Sequence, residues 1–184
     1  MRLHRLQISA IGPFAGTEDI DLDALAAGGL FLLEGPTGAG KSTVLDAIVF
    51  ALYGQPASTE SSPDRLRSHF AAPDATPQVV LDLTVRGDRL RITRVPEHDR
   101  PKKRGDGVTR ERARVHLERL DAGAWTSVSS SHQEVGHVLE DSLGLTREQF
   151  TKVVLLPQNE FATFLRSDDD TRRKLLTKVF GTAL

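Results

Sequence analysis

The stretch from Gly29 to Gly54, GLFLLEGPTGAGKSTVLDAIVFALYG, limits what this chain can fold into more than any other part of it. Gly35, four further residues, then Gly40, Lys41 and Ser42 match the pattern GxxxxGK[ST]. Leu30 to Leu33 form a continuous apolar run, which predicts a short strand buried on both faces of a parallel sheet. Val44, Ile48, Val49, Ala51 and Leu52 then recur at helical spacing. Glycines in a turn between strand and helix let consecutive backbone N–H groups converge without Cβ clashes and form a nest for an anion. The start of the following helix adds partial positive charge at the same point. The turn is therefore expected to cradle phosphates with Gly35, Pro36, Thr37, Gly38, Ala39, Gly40, Lys41, Ser42 and Thr43. Lys41 would reach the β- and γ-phosphates, and the Ser42 hydroxyl would ligate Mg²⁺.

The 184 residues suffice for one sizeable core. A net charge of −1 gives no steering field, but its distribution is uneven. Twelve Lys/Arg face six Asp/Glu between Arg86 and Arg119, so the rest of the chain is acidic. With no cysteine, disulfides, thiolate-bound zinc and thiol catalysis are excluded together. The six histidines lack HxxxH or HExxH spacing. The N-terminus alternates like a strand and no stretch reaches 18 apolar residues, so a cytoplasmic chain without a membrane span is expected.

Leu3, Leu6, Ile8 and Ile11 predict a first strand ended by Gly12-Pro13, and Thr17 to Leu22 a second. After the helix, Gly54-Gln55-Pro56 act as a stop. Val79, Leu81, Leu83 and Val85 alternate with polar neighbours, and Arg86-Gly87-Asp88-Arg89 signals a hairpin returning through Leu90 and Ile92. Residues 97–109 read as a loop; Arg110 to Leu120 alternate as one strand, and Trp125 anchors the next. Three capping-box signatures mark helix starts, at Ser131 with Glu134, Thr146 with Gln149, and Ser167 with Asp170. The expected organisation is a strand, glycine-turn and helix core over 1–56 and an antiparallel β insert over 77–128. A helical segment over 131–166 and the start of a long helix over 167–184 follow.

Asp168-Asp169-Asp170 sits at a helix start, where carboxylates cap N–H groups, so it reads as a cap and not a metal cluster. Asp82 lies on an alternating strand with one wet face and has no acidic successor, which argues against a Mg²⁺-holding aspartate. Arg110, Arg112 and Arg114 fall on one face of their strand, beside Lys102, Lys103 and Arg104 in the adjoining loop. They fit a solvated sheet face and a surface tracking DNA phosphates equally well. Val153 to Leu156 form an apolar run ending in Pro157-Gln158. At the end of a buried strand in a Mg²⁺-nucleotide protein, Gln158 could touch both the metal and the attacking water.

The segments AIGPFAGTEDIDLDAL, GLFLLEGPTGAGKSTVLDAIVFALYG, RPKKRGDG, LLPQNEFATFLRS and RRKLLTKVFGT together resemble the N-terminal part of the bacterial SbcC family, the SMC-like ATPase subunits of the SbcCD nuclease. The resemblance covers essentially the whole chain. It implies an α/β fold, the N-terminal lobe of a P-loop NTPase head of ABC/SMC type, with a mixed sheet and an antiparallel β subdomain. It further implies that Gly35 to Thr43 bind ATP and that Gln158 is the glutamine contacting Mg²⁺ and water. The implied partners are the C-terminal lobe of the same head, a second head closing over ATP, the SbcD nuclease and double-stranded DNA. The hook cysteines, the ABC signature, the acidic pair behind Mg²⁺ and the switch histidine of that family are not in this sequence. On this basis the chain alone should hydrolyse ATP negligibly. The place where SMC relatives carry a basic residue after the first strand is Gly12-Pro13-Phe14 here.

Three other readings fit parts of the pattern. A small-molecule P-loop kinase would use the basic 97–112 segment as a lid. A transporter-type ABC module would place its glutamine much closer to the lysine than the 117 positions between Lys41 and Gln158. A nucleotide-sensing binding module would need no catalytic carboxylate.

Overall fold

The computed structural model describes residues 1–57, 63–102, 104–155, 168–170 and 173, and eight strands and four α-helices are seen among them. Contacts divide the chain into two units, 1–143 and 144–184.

In the first unit, β1 (Arg2–Ile11) alternates as its sequence demands, with Leu6, Ile8 and Ala10 buried on one face. It turns at Gly12-Pro13 into β2 (Phe14–Asp21), which starts three residues earlier than the alternation suggested. A short helix α1 (Leu22–Ala26) follows, capped by the Asp21 side chain accepting from the Ala24 N–H. Next come α2 (Lys41–Tyr53), β3 (Gln78–Val85), β4 (Asp88–Val95), β5 (His98–Pro101), β6 (Val108–Glu111), β7 (Arg114–Asp121), β8 (Ala124–Ser129) and α3 (His132–Leu143).

Six strands form one sheet in the order β2-β1-β3-β4-β7-β8, and every pairing is antiparallel. Strands β3, β4, β7 and β8 of the 77–128 region therefore extend the sheet begun by β1 and β2. The β3–β4 turn places Arg86 at φ 51° and Gly87 at φ 94°, the paired left-handed residues that match the twist of a two-residue hairpin. The inner face presents Leu6, Ile8, Val79, Leu81, Leu83, Ile92 and Leu117, all fully buried, and α2 packs on β1, β3 and β4 there. Each such side chain contributes about 1.5–3 kcal/mol relative to exposure. Helix α3 covers β7 with Val135 and Leu139.

The outer face is polar and ordered by charge. Arg5, Asp82, Arg91 and Glu118 stand in register across four strands. Arg91 grips Asp82 through two bonds of 2.7 and 2.9 Å and stacks 4.1 Å over the Trp125 ring. Asp82 is thus paired within the sheet and, at 5% exposed, is covered there and not wet as its alternating strand suggested.

Three expectations are corrected. Leu30 to Leu33 form no strand: the segment is unpaired, with Leu30 94% and Leu32 81% exposed. A parallel strand needs partners running alongside it, and no described strand does so. Residues 97–109 are not simply a loop, because β5 and β6 pair as a two-stranded sheet joined across Arg100 and Glu111. Arg110 to Leu120 are not one strand either: β6 ends at Glu111 and β7 begins at Arg114.

In the second unit, α4 (Arg147–Phe150) opens with a complete capping box between Thr146 and Gln149. It continues as a π-helical turn, Thr151–Leu155, where the expected apolar strand does not form. The Thr151 hydroxyl donates to the Arg147 and Glu148 carbonyls, a back-bonding that bends helices, at the point where the π-helical turn begins. A short apolar run cannot be told from a buried helical turn by periodicity. Asp169, Asp170 and Arg173 are helical, in keeping with the helix expected from Ser167, which itself lies outside the described residues.

Candidate functional site: the glycine loop

The loop runs from Gly35 into the first turn of α2. Gly40 is the N-cap, in a left-handed conformation (φ 97°, ψ 9°), and its carbonyl accepts the first helical bond from the Val44 N–H. Because Gly40 has no side chain to cap with, the first N–H groups of α2 remain available for an anion. Gly38 is also left-handed (φ 85°), and the Ala39 N–H donates back to the Pro36 carbonyl, so the backbone curls around a concave centre. The Lys41 ammonium lies across that curl, donating to the Gly35 and Pro36 carbonyls at 2.7 and 2.9 Å. Ser42 is exposed and Thr43 half-buried at the same helix start.

A second element borders the loop that the sequence reading did not assign to it. The β1–β2 turn lies directly on Gly40 and Thr43. A Cβ on Gly40 would collide with the Phe14 ring and with Pro13 Cγ at 3.0 Å, and one on Gly12 would meet Thr43 Cγ2 at 2.7 Å. The turn is itself pinned: the Gly12 N–H donates to the Leu66 carbonyl and the Ser68 N–H to the Ala10 carbonyl. The Gly12-Pro13 pair was legible as a strand end; its approach to residues about thirty positions later was not.

The structure brings Gly35 to Thr43 together as one site. Gln158 lies outside the described residues. The basic residues are dispersed. Arg110, on β6, is tied to Glu97 and Asp99, and these contacts hold its guanidinium firmly charged. Arg112 sits between β6 and β7, Arg114 opens β7, and Lys102 and Arg104 are exposed near the β5–β6 turn. Lys103 is outside the described residues. The shared strand face expected for Arg110, Arg112 and Arg114 is corrected, since they occupy two strands and the link between them. Among the described residues no group of three His, Asp or Glu could hold a metal ion, and no helix is long and apolar enough to cross a membrane.

A nest of backbone N–H groups at a helix start, with a lysine in reach, defines a phosphate-loop nucleotide-binding domain. The chain belongs to the AAA domain family, whose model matches residues 5–183. It is similar to proteins named as the SbcC component of the SbcCD nuclease. The Vibrio cholerae protein is 37% identical over all of this chain, and that match covers 18% of the relative. The Deinococcus radiodurans protein is 36% identical over 98% of the chain and 18% of the relative. The Treponema pallidum protein is 35% identical over 98% and 17%. The chain thus spans less than a fifth of the length of these relatives.

Proposed function

We propose that this chain is the ATP-binding N-terminal lobe of an SbcC-type head, which hydrolyses ATP together with a C-terminal lobe and thereby gates a nuclease partner on double-stranded DNA ends and hairpins. The observation that carries the reading is the loop itself, with its left-handed Gly38 and Gly40, an uncapped helix start and Lys41 folded across it. Names of relatives that match the whole chain support the head and its nuclease partner.

The residues present fit ATP and Mg²⁺. The backbone of Gly35 to Gly40 and the start of α2 offer N–H donors, and Lys41 exchanges two loop carbonyls for phosphate oxygens. Mg²⁺ requires few protein ligands beside phosphate oxygens, so the exposed Ser42 hydroxyl suffices as a first one. When bound, the ion neutralises charge on the phosphates. Gln158 is the second proposed contact. Positioning of water and stabilisation of the transferring group need a carboxylate behind the ion, a role this reading gives to the C-terminal lobe.

The exposed run Leu30 to Leu33 supports the two-lobe reading. Apolar side chains so exposed beside a nucleotide loop are suited to a sheet completed by strands of the C-terminal lobe. A second head, closing over ATP, belongs to the same proposal. So does DNA contact through Lys102, Lys103, Arg104, Arg112 and Arg114, whereas Arg110 is already neutralised by its carboxylates. ATP turnover should be negligible for residues 1–184 alone and substantial once the C-terminal lobe is present. Turnover by the chain alone that disappears in Lys41→Ala would contradict the division of labour.

A further inference from the structure

A cavity of about 470 Å³ opens at the far end of α2, where Gly54 and Gln55 follow the helix and meet β4, Ala113 and Arg114. Its deepest polar group is Arg94, only 4% exposed. Two nitrogens of this guanidinium are engaged with the end of the helix: Nε donates to the Ala51 carbonyl at 2.7 Å, and Nη2 to the Leu52 carbonyl at 3.3 Å. The third, Nη1, lies against Gly54, which lines the cavity; a Cβ there would meet it at 3.0 Å.

No carboxylate pairs with Arg94 among the described residues. Burial pulls its pKa down to about 10. Among the described residues the one acid on the cavity wall, Glu97, is taken by Arg110. Arg114, on the same wall, is exposed and makes no ion pair among the described residues. A helix C-terminus supplies only about half a negative charge. A buried guanidinium with half a counter-charge, facing a cavity beside a second arginine, is short of an anion.

We propose that this cavity binds a phosphate-type oxyanion, with Arg94 Nη1 as its buried anchor and Arg114 and the Gln55 amide as outer donors. Planar guanidinium forks match such an oxyanion in geometry as well as charge. Two sources share that chemistry, a backbone phosphate of DNA and a free polyphosphate. The first rests on the DNA partnership proposed above. The site is separate from the glycine loop: 13 residues of α2, about 20 Å of helix, lie between them.

The test uses the full-length chain and two substitutions at exposed positions, Arg114→Gln and Gln55→Glu, which leave the buried Arg94 in place. Affinity for a 30-base-pair duplex is measured against KCl concentration. Pyrophosphate is titrated separately in a Lys41→Ala background, so that the glycine loop does not answer for it. For a DNA phosphate, Arg114→Gln should reduce the magnitude of the log K against log salt slope by about 0.9, and Gln55→Glu should weaken duplex binding. For a free polyphosphate, duplex affinity ignores Gln55→Glu, which lies outside the proposed DNA surface, and both substitutions reduce pyrophosphate affinity about tenfold. If Gln55→Glu changes the affinity of neither ligand, the proposal is overturned, whatever Arg114→Gln does to duplex binding. Duplex affinity of the unsubstituted chain scores the DNA partnership itself, so that reading and the cavity can fail separately.

Discussion

The ring of Phe14 lies across Gly40, so the last glycine of the nucleotide loop is fixed twice, by its own backbone and by a side chain 26 positions earlier. A left-handed residue with a Cβ costs about 1–2 kcal/mol, and the collision with Phe14 adds to that. Gly40→Ala is therefore expected to weaken ATP binding and lower the melting temperature. Adding Phe14→Ala should restore part of the loss, because it relieves the collision and leaves the backbone cost. A double-mutant cycle on ATP affinity measures this coupling; strictly additive effects would show that the ring does not press on the loop.

Arg94 ties β4 to the last turn of α2, and its donors satisfy carbonyls left open at the helix end. Arg94→Ala should destabilise the first unit by about 2 kcal/mol or more, read as a lower urea midpoint. Arg94→Lys should recover only part of this, since an ammonium cannot reproduce the two-carbonyl fork. Full recovery by lysine would mean that charge alone matters.

Leu32 is exposed and unpaired, and Leu32→Lys tests what that run is for. In residues 1–184 alone it should change stability by no more than about 0.5 kcal/mol and reduce self-association, seen by sedimentation. In the full-length protein, where the run is proposed to pair, the same change should depress ATP turnover. Equal turnover in the two full-length proteins would argue that the run stays exposed.

Several surface carboxylates sit below their ordinary range. Asp19 is held down by the hydrogen bond from Arg5, Asp23 by that from His4 and then Arg2, Glu111 by Arg100, and Asp121 by Thr126 and Arg119. A depressed folded value means that the unfolded chain binds more protons as acid is added. The stabilisation is complete above the unfolded values near 4 and is lost as pH falls through the lower folded ones. The melting temperature should therefore be flat with respect to these groups from pH 7 to 5 and drop below about pH 4, less steeply at high salt. Asp23→Asn should flatten part of that drop. A melting temperature that rises on acidification below pH 4 would contradict this reading.

The legible parts of the fold were those coded locally. Alternation marked β1 and β3, the Arg86-Gly87 pair marked the hairpin, and glycine spacing with the apolar helix marked the loop and α2. The AAA domain match and the relatives' names agree with the family read from the quoted segments. Interactions between distant residues were not legible. Leu30 to Leu33 have the composition of a buried strand, but burial depends on partners that the run does not encode. Residues 97–109 read as a loop, whereas the Arg100–Glu111 pair and the buried His98 stabilise a hairpin. Strand alternation alone also gave no sign that Arg110 would be neutralised by Glu97, or that Phe14 would close over Gly40.

The most direct test of the nucleotide site is equilibrium ATP affinity in the presence of Mg²⁺, compared between the full-length protein and its Lys41→Ala form. If Gly35 to Thr43 cradle the triphosphate, removing the ammonium that now bridges Gly35 and Pro36 should weaken binding by at least about tenfold. Equal affinities in the two proteins would place ATP elsewhere and contradict the assignment.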